Sequence, residues 1–211
     1  GVASASYNVA VGYDALYNNN ASRNTAVGRQ AMRSNTSGAQ NTALGYMALY
    51  SNTTKAFNVA IGDSAMSNSN CASGIGIGQN ACLNATGDGN VGIGTFVLDA
   101  NNFSGVDNTA VGNVAASKIT SGHSNALVGA YAGQEITTGH SNVAIGYKAS
   151  YSNETGFNCT VIGYNALANG GNNVGGLVAI GYEACKYTTN GGNTAVGYKA
   201  LTANTGGYWN T

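Results

Sequence analysis

The sequence predicts an all-β fold: one β-solenoid, a parallel β-roll or β-helix, filling residues 1–211 as a single domain of about twelve coils of 16–18 residues. Three observations predict it. A motif of the form N-[TV]-A-[VI]-G-Y-x-A-L returns at nearly constant spacing, as NVAVGYDAL at Asn8–Leu16, NTALGYMAL at Asn41–Leu49 and NTAVGYKAL at Asn193–Leu201. Inside it, apolar residues recur at i and i+2, the period of a strand. Between copies lie Asn-, Gly-, Ser- and Thr-rich runs such as SNTTKAF, which read as turns. A coil this short has room for two short strands and two turns, not for a helix pair or a propeller blade.

The elements follow in order. The motif Gly recurs at Gly12, Gly28, Gly45, Gly62, Gly78, Gly94, Gly112, Gly129, Gly146, Gly163, Gly181 and Gly197, so the copies run from Asn8 to Leu201 with incomplete coils at either end. The residue before each Gly is Val, Leu or Ile, and the residue two earlier is mostly Val, Thr or Ile; these share one strand face. The opposite face is small, mostly Ala, and is expected to lie close to another backbone. A second apolar point follows at Ala15-Leu16, Ala31-Met32 and Ala48-Leu49. Helix is disfavoured, because apolar residues do not persist at 3.6 spacing and Gly, Asn and Thr form helices poorly. The absence of Pro fits a chain that uses its N–H groups along its whole length. Asn opens most copies, at Asn8, Asn24, Asn41, Asn58, Asn90, Asn108, Asn125, Asn142 and Asn193. Stacking would set these amides about 4.8 Å apart in a hydrogen-bonded ladder.

Composition excludes several functions. The chain carries 8% charged residues and no net charge, against about 25% charged in an ordinary domain. Eight Lys and Arg balanced by eight Asp and Glu make no field for nucleic acid. No run approaches the ~18 apolar residues of a membrane span, and GVASAS has neither a basic nor an apolar signal region, so no membrane insertion is expected. Nucleophile–base and paired-acid constellations are missing, and no enzyme activity or cofactor is expected. The G-x-G-x-x-A match at Gly76–Ala81 is a repeat copy, since no helix begins there.

The A-[VI]-G-x-x-A core resembles the head repeats of trimeric autotransporter adhesins, which imply a left-handed parallel β-roll and a trimer. The longer NTAVGYxALxxNTTG form is similar to repeats of bacteriophage tail-fibre proteins. The resemblance spans Asn8 to Leu201.

Residues outside the core pattern supply the candidate sites. No polar cap closes either end, and solenoids normally need one. The expectation is head-to-tail stacking, with Tyr208, Trp209, Asn210 and Thr211 at one end meeting Gly1 and Val2 at the other. Trp209 is read as an interface anchor or as a plug for the last coil. Cys71, Cys82, Cys159 and Cys185 lack CxxC spacing. An even count in a chain of this composition favours disulfides, pairing by neighbourhood as Cys71–Cys82 and Cys159–Cys185; the alternative is buried thiols acting as small hydrophobes. His123 and His140 should stack about 5 Å apart, as a duplicated turn rather than a metal site. A Tyr row at Tyr13, Tyr46, Tyr147, Tyr164, Tyr182 and Tyr198 could bind sugar rings or could stack along the sheet. Sequons stand at Asn20, Asn35, Asn52, Asn84, Asn102, Asn153 and Asn158, all but the last on one turn. The expected function is a structural subunit of an extracellular fibre whose partner is itself. The alternative is an adhesin or tail-fibre segment that binds a host-surface glycan or protein. An ice-binding face is weaker, because Val9, Val59, Val91 and Val143 break the Thr row.

Overall fold

A computed structural model describes residues 5–211. The chain is an all-β solenoid, and no helix occurs among the described residues. Its strands are β1 (Val9–Val11), β2 (Thr25–Val27), β3 (Thr42–Leu44), β4 (Val59–Ile61), β5 (Ile75–Ile77), β6 (Val91–Ile93), β7 (Thr109–Val111), β8 (Ala126–Val128), β9 (Val143–Ile145), β10 (Thr160–Ile162), β11 (Val178–Ile180) and β12 (Thr194–Val196). They form one parallel sheet in sequence order, each in register with the next, as in Val9↔Thr25 and Val11↔Val27. Eleven steps of ~4.8 Å make the sheet about 53 Å long.

Each coil holds one three-residue strand rather than the two expected. After the motif Gly the chain enters a run of tight turns in which alternate residues are left-handed, for example Asp14 (φ 55°) and Leu16 (φ 54°), then Gln30 (φ 60°) and Met32 (φ 51°) in the next coil. An extended strand would carry the chain past the narrow core; the alternation bends it round. The coil-to-coil bonds continue through this segment nonetheless. Leu16 N–H donates to Ala31 O at 3.1 Å, and Gln30 N–H donates to Tyr13 O at 2.8 Å.

The small face of the strand is the inward one. Ala26, Ala43, Ala60, Ala110, Ala144 and Ala179 at strand centres are fully buried, as are the following Ala-Leu points such as Ala48 and Leu49. The coil is flat, and in places a larger side chain is matched by a smaller partner. Leu127 fills the centre of β8, and the usual Leu position of that coil is Gly133, where a Cβ would meet Ile136 at 2.8 Å and Leu127 methyls at 3.0 Å. Gly76 makes the reverse exchange with Met66, whose Cγ would lie 2.6 Å from its Cβ. The motif Gly has its own cause: at Gly62 (φ 134°) a Cβ would stand 2.6 Å from Gly78 O of the next coil. Backbone packs on backbone there, in a conformation that L side chains avoid.

Candidate functional site

The aliphatic row looks outward. Flanking each strand centre, the residue before the motif Gly is Val, Leu or Ile in every strand, whereas the other outward position alternates between aliphatics such as Val59, Val143 and Val178 and the threonines Thr25, Thr42, Thr109, Thr160 and Thr194; together they form a mainly apolar strip along the sheet. Exposure reaches 41% at Ile145, well inside the rod, and 67% at Val196. At ~4.8 Å per strand and ~10 Å across, the strip measures about 500 Å². Two-period spacing fixes this: if Ala faces in, its neighbours must face out.

Beside the strip runs the Tyr row. Tyr147, Tyr164, Tyr182 and Tyr198 stack with centroids 5.2–5.4 Å apart and planes within 16°. Tyr131 closes the lower end edge-on to Tyr147 at 5.8 Å. Near β1 the Arg29 guanidinium fills the gap in the row, 6.0 Å from the Tyr13 ring and 5.8 Å from Tyr46. Rings so stacked hide their faces in one another, and a sugar ring needs a free face. The inner rings therefore serve cross-coil stacking, not a sugar platform.

The Asn ladder forms as expected. Asn41 N–H donates to Asn24 Oδ1, and Asn58 N–H to Asn41 Oδ1, both at 2.9 Å. Asn24 N–H likewise meets Asn8 Oδ1, and Asn90, Asn108, Asn125 and Asn142 continue the pattern further on. Each Nδ2 also reaches a carbonyl of the adjacent turn, as Asn125 does to Gly139 O at 2.9 Å. Asn193 extends the ladder to Asn210, whose N–H and Nδ2 both donate to Asn193 Oδ1. A second ladder was hidden among the sequons. Asn35 Nδ2 donates to Asn19 Oδ1, and Asn52 Nδ2 to Asn35 Oδ1. Their place seven residues after the motif Gly was the available signal. Asn35, Asn52 and Asn153 are thus fully buried with their Nδ2 groups engaged, which corrects their reading as glycan acceptors. Asn20, Asn102 and Asn158 are exposed and Asn84 is half-buried, so no continuous sugar edge exists.

The four cysteines are free and buried, which corrects the disulfide pairing. They occupy different corners of the coil. Cys82 and Cys185 point inward from the Leu position, whereas Cys71 packs by Asn58 and Cys159 donates to Val174 O at 3.1 Å. Burial pushes all four thiols up, Cys71 to about 11, so they hold their protons and behave as small hydrophobes. The His123 and His140 rings stack at 4.9 Å, 5° from parallel. Their lone pairs lie in parallel planes and do not converge on one ion. No group of three metal-ligating side chains occurs among the described residues.

Tyr208 and Trp209 are exposed at the β12 end, Trp209 to 82%; Gly1 and Val2 lie outside the described residues. Trp209 sits over Gly192, and its ring borders a cleft of about 380 Å³ that the repeat pattern does not announce. Phe157 borders the other side, stacked on His140 at 5.6 Å. Comparison with models of known families, with curated proteins and with solved structures found no match.

Proposed function

We propose that the chain is a structural subunit of an extracellular fibre, built by self-association of rigid solenoids. The outward aliphatic strip supports this reading most directly. A strip of this size stands in the upper range of the patches that monomers expose, and such patches often mark an interaction surface. Two copies face to face would bury on the order of 1,000 Å², the lower bound for a specific interface. A chain with 8% charged residues and no net charge offers little repulsion to side-by-side packing. The repeat motif's resemblance to adhesin heads and tail fibres supports the extracellular setting and a trimeric fibre. The test is the paired substitution Ile61→Glu with Ile145→Glu, both outward and so harmless to the core. Analytical ultracentrifugation should show large wild-type multimers and a variant that sediments much more slowly because its side-by-side association is gone. A monomeric wild type, or unchanged variant assembly, would sink the lateral interface.

The second reading is an adhesin or tail-fibre segment that binds a host-surface glycan. The Phe157–Trp209 cleft favours it.

A further inference from the structure

We propose that the cleft between Phe157 and Trp209 binds the ring of a neutral sugar. Its origin is a gap in an aromatic column. The position two residues before the Asn ladder carries His123, His140 and Phe157 in successive coils, then Gly175 and Gly191, then Tyr208. The first three rings are stacked. Two missing rungs leave space for about two further rings at ~4.8 Å each.

The glycines keep that space open. A Cβ on Gly175 would stand 2.8 Å from the Phe157 ring, and one on Gly192 would stand 2.8 Å from the Trp209 ring. His140 covers one side of Phe157, and the other side gives onto the cleft. This distinguishes Phe157 from Tyr164 and Tyr182, which have stacked rings above and below.

The lining defines the ligand chemistry. Phe157, Tyr208 and Trp209 offer ring surface to the C–H face of a sugar. The exposed Asn173 amide at the rim offers hydrogen-bond groups to hydroxyls. No charged side chain lines the cleft, so a phosphate, sulfate or uronic acid would find no counter-charge. A site of this size on a small neutral ligand has a Kd on the order of 1 mM.

The inference rests on the glycan reading and is independent of the fibre reading. Trp209 is the sole tryptophan, so its emission reports directly on the cleft. The purified chain is titrated with methyl β-glucoside, methyl β-galactoside and N,N′-diacetylchitobiose, and, separately, with N-acetyltyrosinamide. A saturable change with at least one sugar, weakened about tenfold or more in Phe157→Ala and severalfold in Asn173→Ala, is the expected result. Both side chains are exposed, and circular dichroism confirms that the variants fold. Sugar binding undiminished in Phe157→Ala would overturn the assignment while leaving glycan binding elsewhere on the rod. No saturable change with any sugar would overturn it outright. Saturation by N-acetyltyrosinamide alone would also overturn it, and would make the cleft a socket for an aromatic side chain.

Discussion

Asn125 shows what a single side chain does in a stacked coil. Its Nδ2 donates to Asn108 Oδ1 at 2.9 Å and to Gly139 O at 2.9 Å, and its Oδ1 accepts both the N–H and the Nδ2 of Asn142. All these groups are buried. Asn125→Ala strands the Asn142 donors and the Gly139 carbonyl without water to replace the lost amide. Each orphan costs roughly 1–3 kcal/mol, so the substitution should destabilise by about 3 kcal/mol. Asn8, half-buried at the end of the ladder, serves one neighbouring N–H and donates to Ala21 O. Asn8→Ala should cost about 1 kcal/mol. Urea unfolding of the two variants checks the difference, and equal losses would mean that the ladder adds nothing beyond local turns. This ladder was legible, because one residue type at one repeat position has few other uses. The second ladder was not. Asn35 and Asn52 look like sequons, and burial is not written in a tripeptide.

At the scale of the coil, the strand was legible and its partner segment was not. Period-two alternation and twelve motif glycines fix where the sheet lies. The turn run after each Gly gives no comparable sign. Its left-handed positions are filled by ordinary residues such as Met47, Val114 and Lys148, not by the Gly or Asn that normally mark positive φ. Packing between coils imposes the conformation, and packing is a property of the stack. The β8 coil tests how strictly volume is conserved. Leu127→Ala should cost about 3 kcal/mol through the cavity it leaves. Gly133→Leu should also destabilise, since its first carbon already meets Ile136 at 2.8 Å and Leu127 at 3.0 Å. Left-handed backbone is no obstacle, because Leu49 and Leu98 hold φ near 50° at the equivalent position. The double variant gives this coil the Ala-centre, Leu-turn pattern that Ala43 and Leu49 hold in the β3 coil. It should recover part of the loss, since Ile136 still crowds the new side chain, with a coupling of about 1 kcal/mol in a double-mutant cycle. Simple additivity would show that the two positions do not share one volume.

As a whole molecule the rod is quasi-one-dimensional: each coil contacts its neighbours and stability sums along the stack. The same substitution therefore means different things at different heights. Gly62 and Gly197 both have φ 134°, so an Ala suffers the same backbone strain at either, about 1–3 kcal/mol. At Gly62 the added carbon also strikes the next coil, 2.6 Å from Gly78 O, whereas at Gly197 nothing lies within 4 Å. Gly62→Ala should open the stack in its middle. Hydrogen exchange should then be faster on both sides of β4 while the far coils keep their protection. Gly197→Ala should loosen the last coil alone. That changes if another copy stacks on β12, for its first coil would then take the place that Gly78 holds above Gly62. Gly197→Ala becomes a block placed at the joint, and it leaves the aliphatic strip untouched. Under electron microscopy the variant should keep side-by-side assemblies but lose length along the axis. Ile61→Glu with Ile145→Glu should do the opposite, leaving long single threads. Full-length filaments from Gly197→Ala would rule out end-to-end stacking and leave the strip as the surface that builds the fibre.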